Sequence, residues 1–228
     1  RLVGSEMCIR DSIIICLVGC KKGSNETTIT GEIKGLGTDT LYLYGMDELY
    51  DRIDTIYVEN DKFSYTTSVD TITSAYLLLK NRIEYPVFLD NGNKIKIKGD
   101  TINLNFLTIS GNIYNEEFTD FQKALEDPAD PSEKAGEETV DKRITVEKAN
   151  TAEEMAEEFI LQHHSSYVSL YLLDKYFVQK ETPDFSKIKK LVEVMTGVLQ
   201  DKPYIERLNE TITQAEKSEI GKYAPFCS

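Results

Sequence analysis

The 228-residue sequence has no tryptophan, only two histidines, and four cysteines that nowhere stand in a Cys-x-x-Cys spacing. Neither a redox dithiol nor a cysteine zinc site can be built from cysteines so placed. His163 and His164 are adjacent. Neighbours on a helix point about 100° apart and do not chelate one ion from one face, so the pair reads as a surface or helix-end feature. Basic charge is short as well, with 26 Lys and Arg against 39 Asp and Glu, a net charge of −13. That surplus repels phosphate backbones, so no nucleic acid is expected as a partner, and it disfavours lying flat on anionic lipid. No Gly-rich phosphate loop, nucleophile elbow or catalytic carboxylate pair is present, so no catalytic, cofactor or metal residue is assigned.

The first twelve residues, Arg1 to Ser12, resemble translated adapter sequence of the kind carried into assembled gene fragments and are set aside. Residues 13–26 read differently. The run Ile13-Ile14-Ile15-Cys16-Leu17-Val18-Gly19-Cys20 is too short to span a bilayer but fits the end of a signal-peptide apolar region. Leu17-Val18-Gly19-Cys20 has the order of a bacterial lipobox, and the polar stretch Lys21 to Asn25 reads as a tether. Cys20 is therefore the expected lipidation site. Acyl chains there would anchor the protein through buried methylenes, each contributing about 0.8 kcal/mol. Cys8 is then foreign, Cys16 leaves with the signal, and Cys227 alone remains a free thiol.

From Thr27 to Asn112 the pattern has period two, with short alternating strands between turn residues. Ile53 to Val58 is expected to meet Phe63 to Thr66 across Glu59-Asn60-Asp61-Lys62. Asp90-Asn91-Gly92-Asn93 is expected to form a hairpin into Lys94-Ile95-Lys96-Ile97-Lys98, isoleucines inward and lysines outward. Ser74 to Leu79 and Pro86 to Leu89 are apolar enough for central strands, and Leu104 to Ile109 is expected to close the set. Such strands argue an antiparallel sandwich or barrel-like sheet. Tyr42, Tyr44, Tyr57 and Tyr65 read as cross-strand packing pairs with wet hydroxyls, the alternative being a recognition surface.

Residues 113–217 switch to helical spacing, making the chain an α+β protein in two successive halves, each expected to fold cooperatively. Phe118, Phe121 and Leu125 mark one helix, and a charged helix is expected to resume from Ser132. Between Asn115 and Ile160 fifteen carboxylates face five basic residues, the mark of a solvated helical connector. Ser165-Ser166 offers an N-cap to an almost wholly apolar helix through Phe177, which should be the core of its bundle. Thr182-Pro183-Asp184 opens another helix running to Leu199, and Lys202-Pro203 opens the last.

The order of these features resembles Bacteroidota envelope proteins that join a lipoprotein signal, a β-rich domain of unassigned function, a helical segment and a thioredoxin-like domain of the TlpA/ResA and AhpC/TSA kind. The residues carrying the resemblance are Thr30 to Leu36, Ile53-Asp54-Thr55 with Asn60 to Ser64, Leu107 to Asn112, and Ser165 to Leu173. Residues 218–228 carry it furthest, since Gly221-Lys222-Tyr223-Ala224-Pro225 is similar to the phrase that opens the family's thioredoxin domain. Cys227 stands where that family usually has phenylalanine and matches no catalytic position. The resemblance implies a redox motif beyond Ser228, and hence a chain that is not itself an enzyme. It implies a non-catalytic anchoring and interaction module of a membrane-anchored, periplasm-facing oxidoreductase. Its partners would be the membrane through the lipid, and client proteins or a second copy. A stand-alone ligand- or protein-binding envelope lipoprotein is the alternative.

Overall fold

The structure, a computed structural model, describes residues 26–46, 49–79, 82–126 and 143–220. Cys20, the adapter-like start, the charged stretch 127–142 and the Ala224-Pro225 phrase lie outside the described residues. Eight strands come first: β1 (Glu26–Lys34), β2 (Asp39–Gly45), β3 (Ile53–Val58), β4 (Lys62–Ser68), β5 (Thr73–Leu78), β6 (Glu84–Leu89), β7 (Lys94–Asp100) and β8 (Thr108–Ser110). Helices α1 (Ile113–Glu126), α2 (Arg143–Gln162), α3 (Tyr167–Leu173), α4 (Phe185–Val194) and α5 (Pro203–Ile220) follow. The strands form two four-stranded sheets, ordered β4-β1-β7-β8 and β3-β2-β5-β6. The α+β architecture read from the sequence is the one observed, and alternation explains its inner layer. Ile29, Ile33, Ile95 and Ile97 of the first sheet are buried, as are Leu41, Leu43, Ala75 and Leu77 of the second.

Local turn chemistry was read correctly, but the pairing it implied was not always the pairing made. Asn60 and Asp61 both take left-handed φ (51° and 68°), and Glu59 and Lys62 exchange backbone hydrogen bonds across them. Beyond that bridge, however, β3 and β4 part into different sheets. The Asp90–Asn93 turn forms too, with Gly92 at φ 73°, yet it carries the chain from one sheet to the other and is not a hairpin. A tight turn dictates reversal, whereas the choice of sheet depends on which edge is open. For β7 that edge is β1, which it meets in parallel, Thr28 opposite Lys94 through Lys34 opposite Asp100. The remaining ladders are antiparallel.

Two further expectations are corrected. β6 is an edge strand in its sheet; it is apolar because both its faces are covered, and Pro86 is tolerated there. The last strand shrinks to three residues, with Leu104 and Leu107 buried from the preceding loop.

Capping places the helices. Asn112 Oδ1 accepts from the Asn115 N–H at 3.0 Å, starting α1. Ser166 accepts from the Val168 N–H and Asp184 from the Lys187 N–H, starting α3 and α4. All seven residues of α3 are buried, as a bundle core requires. The helix then widens into a π turn over Asp174–Val178, closed by the Gln179 N–H on the Asp174 carbonyl. α4 stops at Val194, short of Leu199, because Met195 is extended and Gly197 takes a positive φ.

The two halves share one core. Phe118 of α1 meets Tyr85 and Phe88 of β6 at 5.7 and 6.4 Å and Tyr171 of α3 at 5.2 Å, all edge-on, and Tyr171 also meets Tyr76 of β5. Buried side chains run continuously from Ile29 to Ile212 across residue 112.

Candidate interaction surface

A two-sheet sandwich leaves edge strands whose backbone groups attract other chains. Here side chains close one open side, and an arginine bridges one end of the other. On one, α1 lies along the gap between β6 and β8. Asn115 accepts from the Phe88 N–H at 3.0 Å and donates to the Phe88 carbonyl at 2.8 Å. One turn later, Thr119 Oγ1 accepts from the Ile109 N–H and donates to the Ile109 carbonyl, both at 3.0 Å. Tyr85 does the same for Leu107, at 3.0 and 2.7 Å. On the other side, Arg52 reaches Asp54 at 3.1 Å and also contacts Thr67, while its guanidinium stacks over Tyr50 at 4.9 Å. Burial, then its bond to Asp54, pushes the Tyr50 phenol up to about 12.

The sheet faces remain. The four tyrosines singled out in the sequence separate into two pairs. Tyr44 packs on Tyr76 with ring centres 5.7 Å apart and donates to Glu84, while Tyr65 packs against the core with its hydroxyl toward Asp54. Tyr42 and Tyr57 are exposed, by 41% and 73%. They lie on the outer face of β2 and β3 with Ile53, itself 73% exposed, in the register Tyr42 opposite Thr55 and Thr40 opposite Tyr57. The helices cover the β5 and β6 part of this face and stop short of β3.

The outer face of the other sheet is polar. Lys94, Lys96 and Lys98 of β7 point outward beside Thr28, Thr30 and Glu32 of β1, with Lys62 of β4 next in the row. A shallow cleft of about 490 Å³, lined by Lys34, Lys98, Asp100 and Phe106 among others, adjoins a second of about 350 Å³ over Lys62, Lys96 and Thr30.

His163 is placed as a helix-end residue. Its ring stacks on Phe159 at 4.1 Å, with Nδ1 3.5 Å from Glu117 of α1, and Ser166 donates to the same carboxylate at 2.5 Å. His164 is exposed. In the π turn, Asp174 accepts from Tyr204 at 2.5 Å and from Gln179 at 2.6 Å. The Lys175 ammonium sits over Tyr171 and Tyr176, and loss of water beside their rings lowers its pKa although the residue as a whole is exposed. Among the described residues no group of three or more His, Cys, Asp or Glu is arranged to hold a metal ion. No described helix is long and apolar enough to cross a membrane.

The described residues thus define a β-sandwich sealed by α1 along one side, with one outer sheet face uncovered and the other partly capped by helices. Residues 27–118 match the model of a domain of unknown function, DUF4369. The matched stretch begins at the second residue of β1, takes in the other seven strands and ends inside α1 at Phe118, so it includes Asn115. No curated protein and no solved structure matches the chain.

Proposed function

We propose that this chain is a non-catalytic interaction module of a cell-envelope thiol–disulfide oxidoreductase, tethered by lipid on Cys20 and facing the periplasm. The observation that carries the interaction role is the uncovered face of β2 and β3, where Ile53 and Tyr57 stay 73% exposed beside Tyr42. Large apolar and aromatic side chains clustered on a sheet face mark a contact site, and aromatic anchors dominate such contacts. The oxidoreductase context is supported by the likeness of Gly221-Lys222-Tyr223-Ala224-Pro225 to the opening of a thioredoxin-like domain. The tether is supported by Leu17-Val18-Gly19-Cys20 and the polar residues after it. A second reading, a self-standing lipoprotein that grips a ligand on the same face, is favoured by the two exposed tyrosines on adjacent strands.

Photo-crosslinking in the native envelope tests the proposal. A benzophenone side chain at position 42 or 57 is expected to give discrete protein adducts that Ile53→Ser weakens, and position 190 none. Adducts only with small molecules would favour the second reading. No adduct from either strand, or equal adducts from position 190, would overturn the interaction role.

A further inference from the structure

In the helical half, Lys123, Lys180, Lys187 and Lys189 each sit on a carboxylate within 4 Å. On the outer face of the first sheet, Lys62, Lys94, Lys96 and Lys98 make no ion pair among the described residues. Glu32 stands in register with both Lys62 and Lys98 and still pairs with neither. The face carries Lys34, Lys62, Lys94, Lys96 and Lys98 against Glu26, Glu32 and Asp100, a local excess of positive charge in a chain of net charge −13. The β7 lysines recur at every second residue, about 6.6 Å along the strand. Alternate side chains of any extended peptide repeat at the same distance.

We infer that this face docks an extended acidic peptide segment of a partner protein, with Asp or Glu at alternate positions along Lys94, Lys96 and Lys98. The inference deepens the interaction-module proposal by naming a second contact face and the chemistry of its partner. Charge complementarity selects the occupant, because only an anionic segment gains from the unpaired ammonium groups. The repeat favours a peptide over a lipid surface, because an extended strand offers acidic side chains at the same interval of about 6.6 Å, whereas headgroups in a fluid leaflet keep no fixed spacing.

The test uses the full chain without lipid and a fluorescent nine-residue peptide alternating Glu with Thr, its Lys–Thr counterpart serving as the control. Anisotropy at low salt is expected to show saturable binding of the Glu peptide only. Binding should fall at least fivefold on moving to physiological salt. Lys94→Gln, Lys96→Gln and Lys98→Gln together should weaken it at least tenfold. The equal charge change Lys187→Gln, Lys189→Gln and Lys190→Gln should weaken it less than threefold. Carbodiimide coupling on the unmodified chain gives an independent readout, expected to join the peptide to lysines 62, 94, 96 and 98. No binding, equal loss in both triple variants, or coupling spread over the helices would overturn the inference. So would lysine-dependent sedimentation with anionic vesicles without peptide binding, which would assign the face to lipid. Because Cys20 takes no part, a negative result would count against this face alone and leave the tether standing.

Discussion

The carboxamide of Asn115 satisfies both backbone groups of Phe88, accepting from its N–H and donating to its carbonyl, as a neighbouring strand would. Thr119, one helical turn away, does so for Ile109 on the opposite sheet. α1 thereby stands in for a missing strand on each side of the gap. Leaving buried backbone groups unpaired costs about 1–3 kcal/mol each. Asn115→Ala is expected to destabilise the protein by about 1–3 kcal/mol, since Asn112 still donates to the Phe88 carbonyl at 2.8 Å, and Thr119→Val, which strips both Ile109 groups, by at least as much. Thr119→Ser, which keeps the hydroxyl, should stay near the parent. Urea midpoints check the series, and equal losses for the Val and Ser variants would show that the hydroxyl does not bridge the edge.

Because Phe118 touches β6 and α3 together, the strands and helices are expected to unfold in one transition. Phe118→Ala should remove about 3–5 kcal/mol. It should lower the midpoints of the strand-sensitive and helix-sensitive circular dichroism signals equally. Two separated transitions would restore the reading of two independently folding halves.

The sequence made the elements legible and left their partners illegible. The period-two run at Lys94 to Lys98 and the caps at Ser166 and Asp184 are local signals, and each predicted its element and face. The parallel union of β1 with β7 joins residues more than sixty apart and has no local signature. Asn115 and Thr119 did carry a clue: they share the helical stripe of Phe118 and Gln122, so polar groups stand where only apolar ones are needed. The partner of His163 was missed for a related reason, since Glu117 reaches it from another helix and not from i+4. Of the four tyrosines expected as packing pairs, Tyr42 and Tyr57 are exposed because of where the helices end, which strand alternation does not encode.

Glu153 receives Lys180 and, at 3.4 Å, Lys187, tying α2 to the loop after the π turn and to α4. The hydrogen bond from Lys180 holds the Glu153 carboxyl below its ordinary value. A carboxyl lowered in the folded state stabilises it above the unfolded pKa, and that contribution fades as pH falls through the folded one. The partly exposed pair limits the effect to about 1 kcal/mol or less. Glu153→Gln should therefore cost stability at pH 7 and progressively less as pH falls through the lowered folded pKa, as read by denaturant unfolding. A gap that does not change with pH would rule out the charge as its source.

Expressed in a bacterium behind a lipoprotein signal sequence, the chain is expected to incorporate a clickable fatty acid and to fractionate with membranes, and Cys20→Ala to abolish both. Retention of label in that variant would place the anchor elsewhere or remove it from the account.

The central claim, that this chain holds partners and performs no thiol chemistry of its own, is tested most directly by disulfide turnover. Catalytic exchange requires an activated thiolate and a resolving thiol, and no Cys-x-x-Cys exists here. The purified 228-residue chain is predicted to leave insulin reduction by dithiothreitol at its uncatalysed rate. Multiple turnovers by that chain, lost on Cys227→Ser, would contradict it.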